Sequence, residues 1–320
     1  STLEASTNAE SINNMRSPCL DLDSVYGRGP ALDPFMYDMP SGATPPTAIK
    51  LALGSNQPVG PGGPGGSAGA AGMVQKADFD VPRIHNPVNP GAASLTAIIG
   101  DPRNDENLIV SQFHHAMLRF HNRVVDHLVA TNFPGDIFVE AKRLVTHHYQ
   151  WAVVHDFLDR ICGSTAIANA MSSVVAPPGS PFRMPVEFAV AAYRFGHSMI
   201  RDTYWLNHNF VNQPLSDAFA FIRKPRIPVL SNWVIDFNAF FETGVPVPVF
   251  NHARKIDSVL ANGLESLPGF SGMMAVLARR NLRRGLALGL PSGQAMAAFF
   301  NVAPMSSAQL TTGLPADEVA

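Results

Sequence analysis

Four histidines fall within residues 100–127, in GDPRNDENLIVSQFHHAMLRFHNRVVDH, directly after a cluster of charges. Imidazoles at that density raise the possibility of a shared metal site, because neutral imidazole is the commonest protein ligand for transition metals. Their spacing argues against it. His114 and His121 are seven residues apart, so on a helix they share a face but stand two turns, about 10 Å, from each other. His115 and His127 point elsewhere, and no pair has the i, i+4 arrangement of an HExxH site. These side chains read as hydrogen-bonded structural residues, with His121 a brace for its helix. The segment AAYRFGHSMI is a different case: His197 follows Gly196 on an apolar stretch, with Arg194 three residues earlier. Such a histidine is either a satisfied core residue or an axial ligand to iron, one nitrogen on the metal and the other N–H donated to an oriented acceptor. The segment alone leaves both readings open.

The elements that carry these residues read as helices. Ile109, Phe113, Ala116, Met117, Phe120, Val124 and Leu128 recur at three- and four-residue steps, predicting an amphipathic helix from Asn104 to about His127, capped by Asn104 or Asp105. NFPGD breaks it, and a second helix is expected from Ile137 to about Cys162. A third is expected roughly over Val186–Thr203 and a fourth over Met273–Arg284, joined by Pro-rich connections. Strand signals are short and scattered, so the expected class is mainly α.

Composition narrows the function classes. The chain has 320 residues, 46% hydrophobic and only 15% charged, with a net charge of −2. That is enough apolar material for a large core, and the near-balance of charge implies no basic face for nucleic acid. No apolar run reaches the roughly 18 residues of a membrane span. The stretch PVGPGGPGGSAGAAG, residues 58–72, has the composition of a flexible insertion. Cys19 and Cys162 lie far apart without CxxC spacing, so pairing stays open. The first residues lack the basic and apolar regions of a signal peptide.

Four motifs then occur in order: GDPRNDE, LRFHNRVVD, YRFGHSM and NLRRGLALGLPSGQ. Together they resemble the animal-type (myeloperoxidase-like) haem-dependent peroxidase superfamily and its bacterial branch, over about Ser17 to Phe300. The resemblance implies a single mainly helical haem-peroxidase domain spanning 1–320. It makes His197 the proximal ligand of haem iron and Asn281 the acceptor of its imidazole N–H. Arg194 and Arg284 would then lie near the haem propionates, where a guanidinium can fork two oxygens. Arg103 matches the distal arginine, a fixed cation for the negative charge that grows as the peroxide O–O bond breaks. Glu106 matches the glutamate that can form an ester with a haem methyl. SPCLDLDS resembles the calcium loop of the superfamily, with Ser17, Cys19, Asp21 and Asp23 offering the hard oxygens that Ca²⁺ takes. The implied cofactors are therefore haem b and Ca²⁺, and the implied substrates are H₂O₂ with a halide, pseudohalide or small organic donor.

Two departures qualify the match. Residues 1–16 contain no histidine, and the first in the chain is His85. The distal histidine that moves a peroxide proton is therefore expected from an upstream segment or a separate light chain, with this chain truncated or processed at its start and supplying the proximal half of the site. GLALGLP replaces the charged residues that animal enzymes carry before Gly-Leu-Pro. An oxygenase related to fatty-acid dioxygenases is disfavoured, because its radical-forming tyrosine position is Arg194 here. A haem-binding pseudoenzyme that docks a partner is the alternative. Family habit points to an extracellular location.

Overall fold

The computed structural model describes residues 19–38, 47–57, 76–85, 95–173, 184–219, 228–268 and 270–312. Ser17 and the glycine-rich stretch 58–72 lie outside them.

The spine is helix α2, Leu108–Ala130, and it starts later than the sequence suggests. Asn104 and Asp105 do not cap it. They sit in a separate 3-10 turn, Pro102–Asp105, which Asp101 caps by accepting the Arg103 amide. A proline in the first turn has no N–H to lose and a preset φ, so it favours a helical start there. The true cap of α2 is Asn107, whose side chain accepts from the Val110 amide at 2.9 Å. The buried stripe is also rotated from the expected one. Leu108, Ser111, Gln112, His115, Leu118, Val125 and Leu128 are buried, while Phe113 lies at the surface and Phe120 is half-buried. An apolar count cannot see this rotation, because several of the buried positions are polar residues that find partners inside.

Helix α3, Ile137–Ala152, begins where expected, capped by Asp136, whose carboxylate accepts from Val139 N. It passes through one wide π turn, Val153–Phe157, into α4, Leu158–Cys162, so the run ends at Cys162 as the sequence indicates. Helix α5 follows at Ser164–Ser173. The third expected helix is not continuous. It is reduced to α6, Val186–Val190, and a 3-10 stretch, Ala192–His197, while Thr203–Tyr204 forms strand. Gly196 costs about 1 kcal/mol relative to alanine in a helix, and the buried Ser198 hydroxyl accepts from the Asp257 amide. The fourth helix, α7, runs Leu277–Ala287 after a 3-10 turn and is followed by α8, Gly293–Phe299, and α9, Ser307–Leu310. A four-residue helix α1, Asp23–Tyr26, precedes them all.

Strands among the described residues form only three antiparallel ribbons. β1 (Tyr37–Asp38) pairs with β2 (Lys50–Leu51), β3 (Arg83–His85) with β4 (Leu95–Ala97), and β5 (Thr203–Tyr204) with β6 (Gln213–Pro214). The class is mainly α.

The chain divides into two compact units. Among the described residues, the larger holds those from 19 to 173 and Gly196–Leu277; the smaller holds Met184–Phe195 and those from Ala278 onward. In the larger unit α2 is packed from several sides. Leu22, Val25, Tyr26, Tyr37, Leu51, Val81 and Val145 close around Leu118, and Ile137 and Ala141 of α3 meet Val125 and Leu128. Near the helix start, Leu108 packs with Leu206, Leu230 and the stacked pair Phe210–Trp233, whose ring centroids are 3.9 Å apart. Burying side chains of this size is worth about 1.5–3 kcal/mol each, enough to fix where α2 begins. Among the described residues, no helix is long and apolar enough to cross a membrane.

Candidate functional site

The chemistry expected of GDPRNDE depends on a turn, and the turn is held from three sides. Gly100 leads into it against α1, where a β-carbon would meet the Asp23 and Ser24 carbonyl oxygens at 2.7 Å. Only glycine permits that approach. Asp101 then caps the turn and binds the Arg103 guanidinium, with Nη2 to Oδ2 at 2.7 Å. This hydrogen bond, with Glu106 and Asp23 adding smaller attraction, holds the Arg103 pKa above its ordinary value. Arg103 and Glu106 both reach the surface, 67% of the Arg103 side chain being exposed. The sequence-expected pair is thus brought together on one short turn, with Arg103 a permanent, anchored cation.

The second support comes from Arg83 and Asp80, which the sequence does not mark out, and the third from Asn104 and His114. Arg83, on β3, forks between two carboxylates. Its Nε and Nη2 donate to Asp80 at 2.8 and 3.0 Å, and its Nη1 and Nη2 donate to Asp105 at 2.8 Å each. Arg83 is 4% exposed, and Asp80 and Asp105 are each 1% exposed. Burial alone would lower the Arg83 pKa, but the bonds from Asp105 and Asp80 override it and raise it. The spare carboxylate oxygens are also used. Asp80 accepts from the amides of Val81 and Val229, and Asp105 accepts from the Ser111 hydroxyl. The available signal was an arginine and an aspartate three apart in an apolar setting, DVPRI. On the other flank, Asn104 Nδ2 donates to His114 Nδ1 at 3.0 Å.

Three of the α2 histidines, His114, His115 and His121, are buried, while His127 is exposed. Burial lowers His114, His115 and His121 from 6.5 to about 4 each. His121 accepts from Tyr26 through Nδ1 and donates from Nε2 to the Ile49 carbonyl, both at 3.1 Å. It ties α2 to α1 and to the segment before β2. Among the described residues, no group of three or more His, Cys, Asp or Glu is placed to share a metal ion.

His197 is half-buried at the end of its 3-10 stretch, in the larger unit. The chain after it is fastened. Met199 accepts from the Arg254 amide, and Arg201 donates to the His252 carbonyl. The imidazole therefore projects from an anchored backbone.

Arg194, Asn281 and Arg284 belong to the smaller unit. On α7 the less exposed positions are Leu277, Ala278, Arg280, Asn281, Arg284, Gly285 and Ala287, most of them on one face at helical spacing. Gly289, at φ 64°, turns the chain out of α7 in a conformation that favours glycine, which accounts for one glycine of GLALGLP. Arg194 Nε is buried with no hydrogen-bond partner. Burial lowers the Arg194 pKa, and the positive charges of Arg284 and Arg280 lower it further. Cations gathered in this way favour a bound anion.

Of the expected calcium set, Cys19 is exposed, and Asp21 and Asp23 are half-buried beside α1. The Asp21 carboxylate accepts from the Asp23 amide at 3.2 Å, rigidifying the loop.

Comparison with known proteins identifies the family of the chain. Residues 66–319 match the family model described as animal haem peroxidase. A peroxidase-like protein from Margaritifera margaritifera is 34% identical over 33% of this chain and 14% of its own length. A peroxidasin homologue from Caenorhabditis elegans is 27% identical over 71% of this chain and 17% of its own length. The chain thus spans a small part of the curated relatives it matches. Peroxidase A from Dictyostelium discoideum shares the fold, with a TM-score of 0.55 at 17% identity, over 92% of this chain and 52% of that one. With the family model covering most of its length, the chain belongs to the animal haem peroxidase family.

Proposed function

We propose that this chain supplies the proximal half of a haem peroxidase site that uses H₂O₂ to oxidise a halide, pseudohalide or small organic donor. The observation that carries the reading is the buried, unpartnered Arg194 Nε beside Arg284 and Arg280. Haem b presents two propionates, and the buried Arg194 Nε with Arg284 nearby fits such an anion. When bound, haem supplies the redox-active iron at which peroxide is reduced and a donor oxidised.

The residues then divide the work. His197 would hold the iron, and Asn281 would accept the imidazole N–H, which would fix the ring and its basicity. Arg194 and Arg284 bind propionate oxygens. Arg103, kept cationic by Asp101, stabilises negative charge on the departing peroxide oxygen. Glu106 offers a carboxylate for an ester to the haem edge. Ser17, Cys19, Asp21 and Asp23 would supply hard oxygens to a calcium ion. A histidine supplied by an upstream segment or light chain would move the peroxide proton.

The test is haemin titration of the chain, read at the Soret band, followed by peroxide-dependent oxidation of bromide and of guaiacol with the upstream segment restored. The expected result is stoichiometric haem binding, lost in His197→Ala, and turnover above free haemin. Haem binding without turnover would support the pseudoenzyme instead, and haem content unaffected by His197→Ala would overturn the assignment.

A further inference from the structure

Arg83 has no part in the proposed haem chemistry, yet it is a buried charge bonded to two buried carboxylates beside the Arg103 turn. It lies on β3, opposite Ala97 of β4, and the strand after Ala97 runs directly into Gly100 and the Arg103 turn. The Ile98 amide donates to the Pro82 carbonyl at 2.7 Å, so ribbon and turn are joined through the backbone as well. Asp80, the partner on the ribbon side, is itself pinned by backbone bonds in both directions with Gly54 and by the Val229 amide. Arg83 therefore connects a fixed point to Asp105, the last residue of the turn. Asp101 holds the start of the turn and Asn104–His114 its middle.

A cheaper design would leave Asp105 as an apolar residue, since buried ion pairs of this kind rarely exceed hydrophobic packing in stability. What a forked guanidinium adds is direction: two parallel bonds to each carboxylate fix orientation as well as distance. We propose that Arg83 is the positioning residue of the catalytic turn, acting through Asp105 to fix the backbone from which Arg103 and Glu106 project. What the turn faces rests on the haem reading above; that Arg83 sets the turn does not.

The experiment uses the full chain with Arg83→Lys, which keeps the charge and loses the fork, and Arg83→Met, which loses both. Without haem, hydrogen exchange is followed at the amides of Asn104 and Glu106, which bond to Asp101 and Arg103 carbonyls, with amides of α3 as the internal reference. The expected result for Arg83→Lys is about tenfold or more faster exchange in the turn and an unchanged α3. No change in the turn, or an equal rise in both places, overturns the proposal. With haemin bound, cyanide affinity reads Arg103. Arg83→Lys is expected to weaken cyanide binding several-fold in the native background and not in Arg103→Ala. An equal loss in both backgrounds, or none in either, refutes the action through the turn. Failure of the native chain to bind haemin at all would sink the haem reading alone, and the exchange result would still decide whether Arg83 sets the turn.

Discussion

Two arginine-bearing regions of this chain treat charge in opposite ways. Around the Arg103 turn every cation meets a carboxylate of the same unit: Arg83 has Asp80 and Asp105, and Arg103 has Asp101. In the smaller unit Arg194 keeps a buried Nε without a partner, beside Arg284 and Arg280. The first region is thus completed by side chains of its own unit; in the proposed haem reading, propionates would complete the second.

Acid should break the self-completed region most severely. In the unfolded chain His114, His115 and His121 titrate near 6.5, while burial keeps them neutral down to about 4 in the fold. Between those values the unfolded chain binds more protons, so stability falls as pH is lowered through 6.5 and continues falling until about 4. Each histidine contributes on the order of 3 kcal/mol to that loss. Urea denaturation at pH 7 and pH 4.5 measures it, and equal midpoints would contradict it. Next in size, Arg83→Met leaves Asp80 and Asp105 buried without their cation and should cost about 3–5 kcal/mol, read by thermal unfolding at neutral pH. Gly100→Ala should cost about 1–3 kcal/mol by pressing a methyl into the α1 backbone, with the loss concentrated in exchange protection of α1 and the turn. The smallest effect sharpens the contrast. Arg194→Met should change haem-free stability by no more than about 1 kcal/mol, and in the favourable direction, while weakening haemin binding. A destabilised haem-free variant would show that Arg194 serves the fold.

Much of the scaffold could be read from the sequence, and the reasons for the misses are local. The helix beginning at Ile137 and ending at Cys162 was legible because its cap, Asp136, and its breaker, Gly163, stand at its ends. The rotation of α2 was hidden because its core face includes Gln112 and three histidines, which an apolar count places outside. The segment carrying His197 reads as helix by periodicity, but Gly196 and the Ser198–Asp257 bond hold it as a tighter turn. In the site, GDPRNDE marked Arg103 and Glu106 correctly as neighbours. It could not reveal that Asp105, between them, reaches back 22 residues to Arg83. Pairings between distant segments leave no local pattern.

His197 is the proposed iron ligand, and ligand rescue tests that role most directly. His197→Gly opens room beside the iron position and should bind haemin weakly, with the Soret band of a haem lacking its protein ligand. Added imidazole should restore the native-like spectrum and return haem affinity toward that of the unaltered chain. A His197→Gly protein that binds haemin normally and ignores imidazole would contradict the assignment.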